Sequence, residues 1–196
     1  MKLIGLSGTN GSGKDTVADL LVHNFNFFYI SLSLIIRQEA GKRKVNQTRQ
    51  NLSDISSSWR RQFGQDVLIK KALEKYKVQK NNSDGLVVGS IRNFQEAVSI
   101  KNNHGFIIWI DADPKMRYER IQQGLSLRGH PDTDQISFEN FIKEEEAEMI
   151  IHNDNQTLNM LEVKKIADRS IYNDGSKKQL QQIITDLLNE LFPHAV

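Results

Sequence analysis

A chain of 196 residues, 38% hydrophobic and 26% charged, has the composition of one soluble globular domain spanning 1–196 with a sizeable core. Its formal net charge of +2 is too small to mark a nucleic-acid binder, yet it leaves room for a local basic cleft that takes a phosphorylated substrate. Cysteine is absent, which excludes disulfides and thiol chemistry, and no apolar run approaches the roughly 20 residues of a membrane helix, so a cytoplasmic protein without a membrane partner is expected.

Leu3-Ile4-Gly5-Leu6-Ser7 is a short apolar run that predicts a buried strand, and its early start leaves no room for a signal peptide. Gly8-Thr9-Asn10-Gly11-Ser12-Gly13-Lys14 follows in the phosphate-cradling pattern G-x-x-x-x-G-K. Behind it Val17, Leu20, Leu21 and Phe25 recur at helical spacing. Strand, glycine loop and helix is the order the pattern requires. A loop wrapped around phosphate oxygens turns its N–H groups inward, and glycines allow the dihedrals and the close approach. The helix beginning near Gly13 adds its positive end, and Lys14 supplies a mobile cation for the β- and γ-phosphates. Asp15 stands where Ser or Thr usually offers a hydroxyl to Mg²⁺. Asp15 either ligates Mg²⁺, directly or through water and helped by Thr16, or is a first-turn residue with no ligand role.

Phe27 to Ile30 predicts a second strand, and Ser31 to Ala40 a short helix carrying Leu34, Ile35 and Arg37. Gly41 to Gln47 is polar and basic and reads as a mobile loop. Thr48 caps a helix with Leu52, Ile55, Trp59 and Phe63 in its stripe, and Asp66 caps the next, through Tyr76. After a turn over Lys80–Gly85, Leu86 to Val88 is a central parallel strand, and Asn93 with Glu96 forms a capping box. Phe106 to Ile110 is the fourth strand, and Asp113-Pro114 opens a further helix. Gly124 to Gln135 is poor in apolar residues and reads as a long loop, the core of a lid at about 124–137. A helix with Phe138, Phe141, Ile142, Glu145 and Met149 follows, then a polar stretch from Asn153 to Asn159. Ile171-Tyr172 marks a fifth strand, and Ser176 caps a last helix with an apolar stripe from Leu180 to Leu191. Strands alternating with helices predict an α/β fold: a five-stranded parallel sheet with helices on both faces and ligands at the strands' carboxyl ends.

Several features read as structure. His104, His130 and His152 have no ligand spacing, which argues against zinc. Glu144-Glu145-Glu146 reads as a solvated helix face, and Trp59 with Phe63 as core. Lys42-Arg43-Lys44 is short and lacks stacking aromatics, so no nucleic-acid groove is expected.

The loop with Gly13-Lys14-Asp15-Thr16, the run Trp59 to Asp66, Ile91-Arg92-Asn93 with Glu96, Arg117 to Arg120, Ala167-Asp168 and Ile171 to Ser176 together resemble a known group. They resemble the P-loop kinases of nucleotides, most of all the deoxynucleoside monophosphate kinases and dephospho-coenzyme A kinase relatives. The resemblance implies a three-layer P-loop kinase fold that uses ATP and Mg²⁺, with an acceptor-binding helical region at about 33–78. It implies that Arg92 grips the acceptor's phosphate, with Arg37 and Arg61 as further contacts and Arg60 as the alternative. It implies that Arg120 and Arg128 aim from the lid at the transferring phosphate and the donor base. Asn173 and Gly175 would border the donor adenine through their backbone. Such kinases carry aspartates where Leu34 and Gly89 stand here, which should cost rate. Three functions follow in order: transfer of the γ-phosphoryl group of ATP to a (deoxy)nucleoside monophosphate, the same transfer to dephospho-coenzyme A, or nucleotide binding with turnover lost.

Overall fold

The computed structural model describes residues 1–79, 82–128, 137–149 and 159–193, with the backbone alone at 125–128 and 148. Five strands, β1 (Lys2–Gly8), β2 (Phe27–Ser31), β3 (Gly85–Gly89), β4 (Phe106–Asp111) and β5 (Arg169–Tyr172), form one sheet in the order β2-β3-β1-β4-β5. Every pairing is parallel, as the alternation of strand and helix predicts. Around it lie α1 (Lys14–Phe25), α2 (Leu32–Lys42), α3 (Arg49–Phe63), α4 (Val67–Gln79), α5 (Phe94–Asn102), α6 (Pro114–Arg128), α7 (Phe138–Met149), α8 (Met160–Lys165) and α9 (Lys177–Leu191). Among the described residues no helix is long and apolar enough to cross a membrane.

The period of two along each strand divides the core into two layers. Ile4, Leu6, Val87, Ile108, Ile110 and Ile171 pack with Val17 and Leu21 of α1 and Leu180 and Ile184 of α9. Leu3, Leu86, Val88 and Ile107 face the other way, against side chains of α2, α3, α4, α5 and α8. This is a P-loop kinase-like architecture, with helices on both faces of the sheet.

Local signals account for most helix starts. The Thr48 hydroxyl accepts from the Asn51 N–H at 3.2 Å, and Asn93 with Glu96 forms a full capping box. Asp113 Oδ1 accepts from the N–H groups of Lys115 and Met116 at 3.0 and 3.1 Å, just ahead of Pro114. Four expectations need correction. α2 runs on to Lys42, so the predicted loop at Gly41 begins later. Trp59 is core at 6% exposure, but Phe63, in the last turn of α3, is 51% exposed. Gly124–Arg128 continue α6, because Gln122, Gln123, Leu125 and Leu127 sustain a helix through one glycine. α8 was not expected; Asn159 caps it by accepting from the Glu162 N–H at 3.2 Å. The remainder of the expected lid to position 136, with His130, His152, Lys80 and 153–158, lies outside the described residues.

One buried ion pair ties α3 to the start of α5. Arg60 Nη2 donates to Glu96 Oε1 at 2.7 Å, with side chains 4% and 1% exposed. The other Glu96 oxygen accepts from the N–H groups of Arg92 and Asn93, both at 3.2 Å, so one carboxylate caps α5 and anchors α3. Glu96→Ala takes the Glu96 carboxylate away from a buried guanidinium and should cost about 3–5 kcal/mol in chemical denaturation. A cost below about 1 kcal/mol would contradict this role.

Candidate phosphate-binding site

The carboxyl ends of β1, β4 and β5 meet at the loop from Gly8 to Lys14, and three glycines there take positive φ. Gly8 (φ +136°) presses on β4, where a Cβ would lie 1.9 Å from the Ile110 carbonyl oxygen. Gly11 (φ +77°) passes the Arg117 carbonyl and Gly13 (φ +94°) passes Asn173, each with room only for hydrogen. Gly13 is also the N-cap of α1 in left-handed conformation, and no side chain caps that helix. Its first-turn amides are therefore left to whatever the loop encloses. Ser12 is fully buried, its hydroxyl donating to the Thr9 carbonyl at 2.8 Å, and Asn10 sits at the exposed tip.

Lys14 folds back over this loop, Nζ donating to the Thr9 carbonyl at 2.5 Å. Asp15 is exposed in the first turn of α1, and its carboxylate has no hydrogen bond or ion pair among the described residues; Thr16 beside it is half-buried. The loop itself is braced. Thr9 N–H donates to the Ile110 carbonyl at 3.2 Å and Thr9 Oγ1 to Asp111 Oδ1 at 2.7 Å. From the far side, Asn173 Nδ2 donates to the Ser12 carbonyl at 2.9 Å. The Asn173 role expected from the sequence was a backbone one; its side chain proves to hold the loop. Arg120 Nη2 donates to the Asn173 carbonyl at 2.8 Å, while its Nη1 is buried with no hydrogen-bond partner among the described residues. Gly175 lies in the same β5–α9 turn, which is joined to α6 because Asp174 Oδ1 accepts from the Asp113 N–H at 2.7 Å. Arg128 closes the last turn of α6, and its side chain lies outside the described residues.

Arg117 is a site residue that the sequence reading left without a role, and Asp111 lies beside it, 3.7 Å from its Nε. Burial alone would raise the Asp111 pKa. The hydrogen bonds from Thr9, the Ala112 N–H and Trp109, with the Lys164 ammonium, outweigh it and hold the carboxyl below its ordinary value. Arg117 is 3% exposed and spans the site: Nε donates to the Ala112 carbonyl at 2.8 Å and Nη1 to the Asn10 carbonyl at 3.3 Å. Its two terminal nitrogens also donate to the two oxygens of Glu145, the second at 2.7 Å. Glu144 meanwhile accepts from Arg49 at 2.9 Å. The acidic run of α7 is thus no mere solvated face, and two of its carboxylates reach across to other elements.

The expected acceptor arginines are spread over one end of the sheet. Arg37 Nη1 donates to Gln47 at 3.3 Å, Arg61 is exposed on α3, and Arg92 is half-buried after β3. Arg60, the alternative to Arg61, is committed to Glu96. Leu34 is 49% exposed, so an aspartate there would meet no obstacle. Gly89 is different: a Cβ would lie 2.4 Å from the Tyr29 hydroxyl and 2.7 Å from its ring. Tyr29 thus fills the space a side chain at 89 would need. Burial raises the Tyr29 pKa and nearby Asp15 adds to the rise, against a hydrogen bond with Ser31, so the hydroxyl stays protonated at neutral pH. Ser31 also lies 2.8 Å from Ser33 and 3.2 Å from Ser90, which lines this corner with hydroxyls.

The lowered Asp111 pKa has a sign. A carboxyl depressed in the folded state stabilises it above the unfolded value near about 4, and that contribution disappears as pH falls through the folded value. Asp111→Asn should therefore flatten the acid limb of stability below about pH 4, read from urea midpoints across pH. Superimposable limbs for the two proteins would contradict the assignment.

A UPF0200 protein of Methanococcus vannielii is 29% identical over 197 residues, covering 97% of each chain. One from Thermococcus gammatolerans is 25% identical over 193 residues, covering 96% of this chain and 95% of its own. Among solved structures, shikimate kinase from Bacteroides thetaiotaomicron superposes with a TM-score of 0.62 over 97% of this chain and 98% of its own, at 13% identity, a likeness of fold. Residues 4–139, from β1 into α7 and including the whole glycine loop, match the AAA domain family, and the chain belongs to that family.

Proposed function

We infer that this protein binds the triphosphate of ATP in the loop Gly8–Thr16 and transfers its γ-phosphoryl group to a small nucleotide acceptor, a (deoxy)nucleoside monophosphate. One observation carries the reading: three left-handed glycines lead into an uncapped helix start with the Lys14 ammonium folded over them. Such a nest of amides is complementary to an oligophosphate. The residues fit a magnesium nucleotide as well, since Asp15 offers an exposed carboxylate without a partner among the described residues. When bound, ATP supplies the phosphoryl group and Mg²⁺ offsets its charge.

The chain's own contribution is positioning and charge. Amides of Gly11 to Thr16 orient the phosphates, and Lys14 exchanges the Thr9 carbonyl for phosphate oxygens. Arg120, with a buried N–H group to spare, faces the donor side beside Asn173. Arg92, with Arg37 and Arg61, supplies positive charge on the acceptor side, where a guanidinium grips a phosphate at two points.

A second reading, nucleotide binding with little turnover, is favoured by one feature. Tyr29 occupies the space beside Gly89, and Leu34 is exposed, so an aromatic ring and an aliphatic side chain stand where the resemblance expects two aspartates. Calorimetry with ATP, coupled to turnover assays on a panel of nucleoside monophosphates and dephospho-coenzyme A, separates the two readings. Acceptor-dependent ADP release supports transfer; tight ATP binding without it supports the second. Lys14→Ala should weaken ATP affinity about 10- to 100-fold, as expected for losing a hydrogen-bonded charge. An unchanged affinity would overturn both readings.

A further inference from the structure

Glu145 stands at an unusual place for a carboxylate. It projects from α7 to the tip of the glycine loop, where its two oxygens take both terminal nitrogens of Arg117. The same Arg117 Nη1 donates to the Asn10 carbonyl, so the carboxylate sits beside the loop's own backbone. The guanidinium is held from behind by the Ala112 carbonyl, and Phe141 of α7 lies over it at 5.6 Å. Its side chain is 3% exposed and that of Glu145 is 18% exposed. A second, exposed pair joins the same helix to the acceptor side, since Glu144 meets Arg49, the first residue of α3, at 2.9 Å.

We propose that Glu145 is an internal anion that occupies Arg117 at the loop tip and competes there with nucleotide phosphate, so that filling the loop releases α7. This rests on the nucleotide reading above. The terminal nitrogens of one guanidinium cannot face both the Glu145 carboxylate and a phosphate without the two anions repelling each other, and a triphosphate brings more charge than a carboxylate. Arg117 keeps a counter-ion through the exchange, because Asp111 Oδ1 lies 3.7 Å from its Nε. Glu145 has space to withdraw: an open cleft of about 570 Å³ adjoins the pair, lined also by Thr9, Asp111, Glu146, Met149 and Leu161. The outer Arg49–Glu144 pair is solvated and weak, so it yields with the inner one. Binding in the loop is thereby coupled to the position of a helix that touches the acceptor-side layer.

The test is calorimetric titration of wild type and Glu145→Gln with a non-hydrolysable ATP analogue and Mg²⁺. Glutamine keeps the shape and removes the charge, so affinity should rise about five- to twentyfold, the size of a 1–2 kcal/mol coupling. An affinity in folded Glu145→Gln equal to or below that of wild type would overturn the proposal and leave nucleotide binding standing. A second measurement uses the wild type alone, in case the variant folds poorly. Hydrogen exchange in α7 should speed up when the analogue binds, and slowing or no change there would overturn the proposal. Binding that appears in Glu145→Gln and is undetectable in wild type would support it strongly. Binding in neither protein would remove this inference together with the nucleotide reading.

Discussion

Everything at this site depends on the backbone of one loop being held open before any ligand arrives. The constraint comes from both flanks. On one side Gly8 lies so close to the Ile110 carbonyl that no side chain fits, and Thr9 is fastened to β4 through its own N–H and through Asp111. On the other, Asn173 reaches from the end of β5 to the Ser12 carbonyl. A loop fixed at both edges keeps its amides pointing inward, and the cost of ordering them is met during folding rather than on binding.

The parallel sheet makes this bracing possible. Parallel pairing of β1 with β4 and of β4 with β5 brings three strand ends to one edge, so residues more than 160 positions apart in sequence, Ser12 and Asn173, become hydrogen-bond partners. The same edge concentrates charge. Lys14, Arg117, Arg120 and Lys164 gather there with Asp111 and Glu145, and in this structure each of these cations rests on a carbonyl or carboxylate. An anionic ligand would enter a site whose cations are already occupied, so its binding is an exchange of partners rather than a simple addition.

What could be read from the sequence follows the range of the forces involved. The loop, the five strands and the caps at Thr48, Asn93 and Ser176 are signalled by neighbours a few residues apart, and all appear where expected. The short helix α8 also carried a local signal, Asn159 with Glu162 three residues on, but six residues give too little periodicity to stand out. The extension of α6 past Gly124 went the other way, because one glycine in a polar stretch suggests a break that neighbouring helix formers override. The long-range partnerships left no mark. Arg60 and Arg61 look alike on paper, and only the fold sends one to Glu96. Likewise the Gly89 position looked like a simple loss until Tyr29, from a neighbouring strand, was found in its space.

The preformed nest can be tested atom by atom through the amide protons of the glycine loop. Adding ATP, or pyrophosphate as its minimal mimic, to isotopically labelled protein should move the amide signals of Gly11 to Thr16 downfield as they bond to phosphate, with the central strands scarcely changed. Loop amides that stay in place while shifts appear elsewhere, or a response spread through the whole sheet, would contradict the account.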